Sequence, residues 1–281
     1  MKLGLALSGG GIRGIAHAGV LKALEENNIK VEVLGGTSSG SMITALYSMG
    51  YTPDEIYELF KKYASTIVKL NSNIIRKEIK NFILKHKICS QGINNGEFIE
   101  EIFNKKAMEK EIKNINEIEM PIVIPAVDMC TGEKYTFTSV KTNKKNHIGA
   151  IDIGKAVRAS CSLPVVYEPM KYKDKLFLDG GILDNIPAKE VKALGSDKVI
   201  SVKFDSDKID NQSNAIYIIV KVTDLMSEKI SDEDLASSDY TITVPPDGAG
   251  ILDIKKIDYC FNSGYETTKK HIKEILKIME E

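Results

Sequence analysis

Two glycine-rich turns at the start of the chain constrain its fold more than any other feature. SGGGIRG (8–14) follows the apolar run LGLAL and precedes a run with helical spacing; GGTSSGS (35–41) follows IKVEVL and opens a second helix that reaches about Met49. Strand, glycine turn and helix, repeated at once, call for βαβ units and a parallel sheet. In such a sheet the loops leaving the carboxyl ends of the strands open on one edge, where ligands bind. The two glycine turns are therefore expected to meet. Gly9, Gly11 and Gly14 spell G-x-G-x-x-G, but dinucleotide binding also needs an acidic residue at the end of the second strand to hold the ribose. Here Glu32 lies within that strand, and its end carries Gly35-Gly36-Thr37-Ser38. A phosphate loop is excluded too, because no Gly-Lys-Ser/Thr follows.

The second turn is the more specific. Gly36-Thr37-Ser38-Ser39-Gly40 is G-x-S-x-G between a strand and a helix, the context of a nucleophile elbow. So sharp a turn tolerates no bulk two residues before or after the nucleophile, which accounts for Gly36 and Gly40. Ser38 then stands at a helix N-terminus whose N–H groups favour developing negative charge. A flexible helix-capping loop is the plainer reading; a second glycine turn at the same edge favours the elbow. Backbone at Gly9, Gly10 and Gly11 is able to approach a ligand without a Cβ in the way, so 8–14 reads as an anion cradle for a tetrahedral intermediate. Arginine occurs only at positions 13, 76 and 158. Arg13 either strengthens the field of that cradle or pins its loop, with a surface salt bridge as the plainer alternative.

A serine nucleophile needs a base. His17 shares a helical face with Val20, Leu21 and Leu24 and reads as a core histidine. His86 and His147 lie in lysine-rich surroundings, while His271 would complete the Ser…Asp…His order of an α/β-hydrolase. Asp179 is the better candidate: it ends the strand KLFL and is followed by Gly180-Gly181. Burial and a hydrogen bond to Ser38 would have to raise its basicity. A Ser-His-Asp esterase or thioesterase using His271 or His17, and a non-catalytic lipid- or nucleotide-binding module, are the alternatives.

Elsewhere Thr52-Pro53-Asp54-Glu55 is a helix start with a capping box. Mostly helical chain follows to about residue 113, broken near 90–95. IVIPAV, KYTFTSV, KLFLDGG, DKVISVKF, AIYIIVKV and DYTITVP read as strands, 152–160 and the C-terminus as helices. Arg158 and Ser160 read as finishing the 152–160 helix, with lining the pocket as the alternative. A formal net charge of −1 lacks the basic excess of nucleic-acid binding, and four scattered cysteines suggest neither zinc nor a disulfide framework. No metal or cofactor is expected. The short apolar N-terminus and the lack of a span point to a cytoplasmic protein. Segment 61–87 holds eight basic residues and one acidic one, with Ile74, Ile75, Ile79, Phe82 and Ile83 on one side of a helical wheel. It reads either as a helix packed on the domain or as an interfacial helix, which would make the protein peripheral to the inner membrane surface.

Together, Gly9-Gly10-Gly11-Ile12-Arg13-Gly14, Gly36-Thr37-Ser38-Ser39-Gly40 and Asp179-Gly180-Gly181 resemble the three signature blocks of patatin-like phospholipases. Ala159 to Pro164 and the Asp128…Thr131-Gly132 hairpin resemble two secondary blocks. The resemblance implies a three-layer α/β/α fold with a mostly parallel central sheet. It implies one domain over 1–281, with a motif-bearing core of about 3–202 completed by 203–281. It further implies a phospholipase A or lysophospholipase-type esterase acting on phospholipid or other acyl esters, with Ser38 as nucleophile, Asp179 as base and 9–14 as oxyanion hole. Ser39 departs from the alanine many members carry, but it too is small. The short turn at 170–175 suggests a compact bacterial-type member.

Overall fold

A computed structural model of the chain describes residues 1–68, 91–205, 215–245, 248–250 and 253–281. Its main sheet runs in the order Tyr240–Val244, Lys198–Phe204, Leu3–Leu7, Val33–Gly36, Ile122–Asp128, Glu133–Thr138, His147–Ile148. The first five of these strands are mutually parallel. The first strand is wholly buried and uses its two faces differently: Leu3, Leu5 and Leu7 join one apolar core, while Ala6 joins a second, smaller one. Large residues meet the thick helical layer of Ala16–Glu26, Ser39–Ser48 and Ile257–Glu280. Small ones leave room for the short helix Ala188–Ala193, whose Val191 packs beneath Ala6 and Val199. Helices thus cover both faces of a mostly parallel sheet, an α/β architecture.

Strand Ile122–Asp128 organises the site. Its first half pairs with Val33–Gly36, which stops short; along that edge its second half pairs instead with the antiparallel strand Lys175–Asp179, Ala126 opposite Asp179. Asp179 ends its strand, as in the sequence reading, but that strand is antiparallel to its neighbour. It arrives from outside, where the shorter neighbour has vacated the edge. The hairpin to Glu133–Thr138 turns at Gly132, with Asp128 accepting from the Cys130 amide and the Thr131 hydroxyl.

The Thr52 capping box forms: Glu55 accepts from the Thr52 amide, and the Thr52 hydroxyl accepts from the Glu55 amide. One element departs outright from expectation. AIYIIVKV is no strand but the start of a 21-residue helix, Ala215–Leu235. Its inward positions carry Ser227 and Ser231, both buried, whereas Ile218, Val222, Leu225 and Met226 face outward. The dense β-branched run at its start reads as a strand, and the helical period emerges only when the later Leu225 and Met226 are taken with Ile218 and Val222. The 61–87 reading falls mostly on residues outside those described, as does His86; only its first part closes helix Pro53–Val68.

Candidate active site

Ser38 sits at φ 52°, ψ −122°, a conformation rarely open to a residue with a Cβ, between the end of strand Val33–Gly36 and helix Ser39–Ser48. A Cβ at Gly36 would strike the Gly40 carbonyl, and one at Gly40 would lie 2.5 Å from the carbonyl of Leu7. The elbow is fastened on three sides: the Thr37 amide donates to Leu7 O at 3.1 Å, the Ser41 hydroxyl to Ser38 O at 2.6 Å, and the Ser38 amide to Ser160 Oγ at 3.0 Å. Ser160, read from sequence as merely ending its helix, thus supports the elbow directly.

The Ser38 hydroxyl donates to Asp179 Oδ2 at 2.7 Å. Asp179 is 3% exposed, and its other oxygen accepts from the Gly181 amide at 2.8 Å. Burial pushes its pKa up from 3.8 to about 6, against the pull of those two hydrogen bonds. The carboxylate is thereby a far stronger base than a solvated one, yet still ionised at neutral pH. His17 and His271 hydrogen-bond elsewhere. His17 is fully buried, with Nε2 on the Ser8 carbonyl at 2.8 Å, and burial lowers its pKa to about 4, which keeps it neutral. His271 Nδ1 meets the Tyr240 hydroxyl at 2.6 Å, and His147 belongs to the edge strand His147–Ile148.

The glycine loop lies against the elbow: a Cβ on Gly9 would come 3.1 Å from that of Ser38, and one on Gly14 would strike Ser39. Gly9 does not offer its amide to a ligand, however. That N–H donates to Asn185, to Oδ1 at 3.0 Å and to the main-chain carbonyl at 3.3 Å. Among the described residues the amides of Gly10 and Gly11 have no protein acceptor. Arg13 is 2% exposed and so is no surface residue; its Nε donates to Gly10 O at 3.2 Å and its guanidinium lies over the Phe204 ring. It pins the loop.

Two further groups escaped the sequence reading, and a third, Arg158, does more than finish its helix. The segment after Asp179-Gly180-Gly181 joins both turns, since Asn185 holds Gly9 and the Asp184 carbonyl accepts from the Thr37 hydroxyl at 2.8 Å. Lys134 bridges the buried Asp184 carboxylate at 2.8 Å and also Glu190, anchoring that segment. Burial and the Glu190 charge hold the Asp184 pKa well above its ordinary value. Arg158 is buried and donates to the carbonyls of Asn95 and Glu168 and to the Ser162 hydroxyl; the Ser162 carbonyl in turn accepts from the Asp179 amide at 3.0 Å. The scarcity of arginine in this chain was the one signal that could have marked Arg158.

Residues 5–192 match the family model described as Patatin-like phospholipase. The chain belongs to the patatin-like phospholipase family. It is 31% identical over 215 residues to the Lysophospholipase NTE1 of Candida albicans, covering 76% of this chain and 14% of that protein. The Lysophospholipase nte1 of Aspergillus fumigatus is 31% identical over 216 residues, covering 76% of this chain and 12% of that protein. The chain thus spans only a small fraction of these relatives. Among solved structures it resembles ExoU of Pseudomonas aeruginosa, in complex with SpcU, at a TM-score of 0.55 and 16% identity, over 99% of this chain and 52% of that one. VipD of Legionella pneumophila gives 0.52 at 13% identity, over 97% of this chain and 67% of that one. At such identities the likeness concerns the fold. The family match ends at residue 192, yet the next strand, Lys198–Phe204, pairs with Leu3–Leu7 at the middle of the sheet.

Proposed function

We propose that this protein is a serine lipid acyl hydrolase, cleaving fatty acyl esters of phospholipids or lysophospholipids through an acyl-Ser38 intermediate. The observation that carries the reading is the 2.7 Å hydrogen bond from the Ser38 hydroxyl to a buried carboxylate whose pKa stands at about 6. As Ser38 Oγ attacks the ester carbonyl, Asp179 Oδ2 takes its proton. General-base assistance of this kind contributes about 10²–10⁴-fold. The carbonyl oxygen becomes an oxyanion, for which the Gly10 and Gly11 amides are the available donors of the loop, each fixed amide being worth about 10²-fold or more. Gly9, Gly14 and Arg13 serve this cradle by shaping and pinning it. Asp179 then delivers the proton to the departing alcohol, and the acyl group stays on Ser38. A water enters, Asp179 takes its proton, and its oxygen attacks the acyl carbonyl to free the fatty acid and return Ser38. Strand Lys198–Phe204 pairs with the first strand, and Tyr240–Val244 pairs with Lys198–Phe204 in turn, which supports reading 1–281 as one catalytic unit.

A Ser-His-Asp enzyme is the weaker reading, because the hydrogen bonds of His17 and His271 lead away from Ser38. Labelling with a fluorophosphonate probe tests both. Wild-type protein is expected to label and to release fatty acid from lysophosphatidylcholine. Ser38→Ala should do neither, Asp179→Ala should lose turnover, and His17→Ala and His271→Ala should keep the chemistry. Turnover that survives in Asp179→Ala, or that disappears in folded His271→Ala, would overturn the dyad. Absent labelling of folded wild-type protein would instead favour a binding module.

A further inference from the structure

Four apolar residues of helix Ala215–Leu235 point away from the protein. Ile218, Val222, Leu225 and Met226 recur at i, i+4, i+7 and i+8 and are 52%, 49%, 42% and 59% exposed. One turn farther along the same outward face Lys229 and Asp232 are exposed, so the face changes from apolar to charged along its length. On the opposite face Ser227 and Ser231 are buried: the Ser227 hydroxyl reaches the carbonyl of Gly181, and the Ser231 hydroxyl that of Ser227 at 2.7 Å. Isolated exposed apolar side chains are ordinary on any protein; four in helical register form a patch with a purpose.

The position of that patch names its occupant. Through Ser227 the helix rests on the turn two residues beyond Asp179, and it packs against strand Val165–Tyr167. Both supporting segments expose an apolar side chain of their own, Leu183 after the turn and Val165 at the strand start. Val165 is a β-branched residue held at φ 70°, a conformation that costs free energy and here leaves its side chain in solvent. The turn beyond Asp179, the helix that rests on it and the strand packed against that helix thus each expose apolar surface. Long-chain esters are sparingly soluble and reside in bilayers and micelles, so an enzyme that cleaves them must bring the mouth of its site against such an aggregate. We propose that the outward face of Ala215–Leu235, extended by Leu183 and Val165, is the surface that docks this protein on a lipid interface. Its apolar half enters the boundary between headgroups and acyl chains, and the half bearing Lys229 and Asp232 stays in water. The inference rests on the reading of the site as a lipid hydrolase.

The test separates the two. The pair Val222→Glu and Met226→Glu alters only exposed side chains. In a Ser38→Ala background, which spares the lipid, this pair is expected to lower sedimentation with phosphatidylcholine vesicles about tenfold or more, the effect of losing two buried apolar side chains. In the active enzyme the pair should lower turnover of micellar lysophosphatidylcholine by a similar factor while hydrolysis of monomeric p-nitrophenyl butyrate is unchanged. Val222→Leu with Met226→Leu should retain both. If a melt shows that the charged pair is unfolded, Val222→Thr with Met226→Gln must give a loss in the same direction. Unchanged partition and unchanged micellar turnover would overturn the docking surface. So would light scattering that finds a wild-type dimer split by the charged pair, because the face would then hold a second copy. Wild-type protein that binds vesicles through this face but hydrolyses neither ester would refute the hydrolase and leave the surface standing.

Discussion

Asp179→Asn removes one negative charge from a site that is 3% exposed, and the structure sets what that charge costs. The substituted side chain keeps the shape: Oδ1 still accepts from Gly181, and its NH₂ turns to Ser38 Oγ. Burial has moved the carboxyl from 3.8 to about 6. That displacement corresponds to roughly 3 kcal/mol by which the folded state disfavours the ionised form at neutral pH. The sign follows from linkage. Between 3.8 and about 6 the folded protein holds a proton that the unfolded chain has already released. The stability this group contributes is therefore fully present below that window, falls as pH rises through it, and stays low above it. The carboxamide of Asp179→Asn does not titrate, so the variant should be more stable than wild type by up to about 3 kcal/mol near pH 8, while the gain shrinks to nearly nothing below about pH 4. With an unfolding entropy on the order of 0.6 kcal/mol/K for a chain of this size, the shift in Tm at the upper pH is about 5 °C. Paired calorimetric melts at the two pH values, with turnover of a soluble ester measured alongside, make the assay. An inactive but stabilised variant is the expected result. A destabilised variant at high pH, or a gain independent of pH, would refute the picture of a carboxylate strained by burial and retained for its basicity.

The same carboxylate predicts an acid limb in kcat/KM for a monomeric ester, half-maximal at about 6 and falling tenfold per pH unit below it, because only ionised Asp179 takes the serine proton; a flat profile down to about pH 5 would count against Asp179 as the base. Asn185→Ala removes the side-chain acceptor of the Gly9 amide and should lower kcat about tenfold to a hundredfold with little change in KM, which steady-state kinetics with a short-chain ester resolves. Asn185→Asp, which keeps the acceptor, should recover most of that loss. Ser160→Ala leaves the Ser38 amide without its partner and is expected to cost about 1–3 kcal/mol in denaturant unfolding, together with reduced fluorophosphonate labelling. Lys134→Met strands the buried Asp184 carboxylate beside Glu190 and should destabilise by about 3 kcal/mol, an effect that eases as pH falls and Asp184 takes up a proton.

Much of the site is legible in sequence because its chemistry depends on local backbone shape. A serine held at positive φ between Gly36 and Gly40 is written in five consecutive residues, since sterics leave few side chains compatible with that turn. The same holds for the glycines of 8–14 and for the Thr52 capping box. Their positions at the ends of strands also follow from the pattern of apolar runs, and with them the parallel core of the sheet. Distances across the chain are not written this way. Ser38 and Asp179 meet over a separation of 141 residues, because one strand outlasts its neighbour and an antiparallel strand takes the vacant edge. Only that register buries Asp179 deeply enough to raise its pKa. Tertiary packing likewise decided which amides of the glycine loop stay open, by giving Gly9 to Asn185, and whether Arg13 faces solvent or Phe204. It also turned AIYIIVKV from an apparent buried strand into the start of a helix whose Ile218 and Val222 face outward. A short sequence window encodes which conformations a backbone tolerates; burial, charge environment and the partner of each donor belong to residues that only the folded chain brings together.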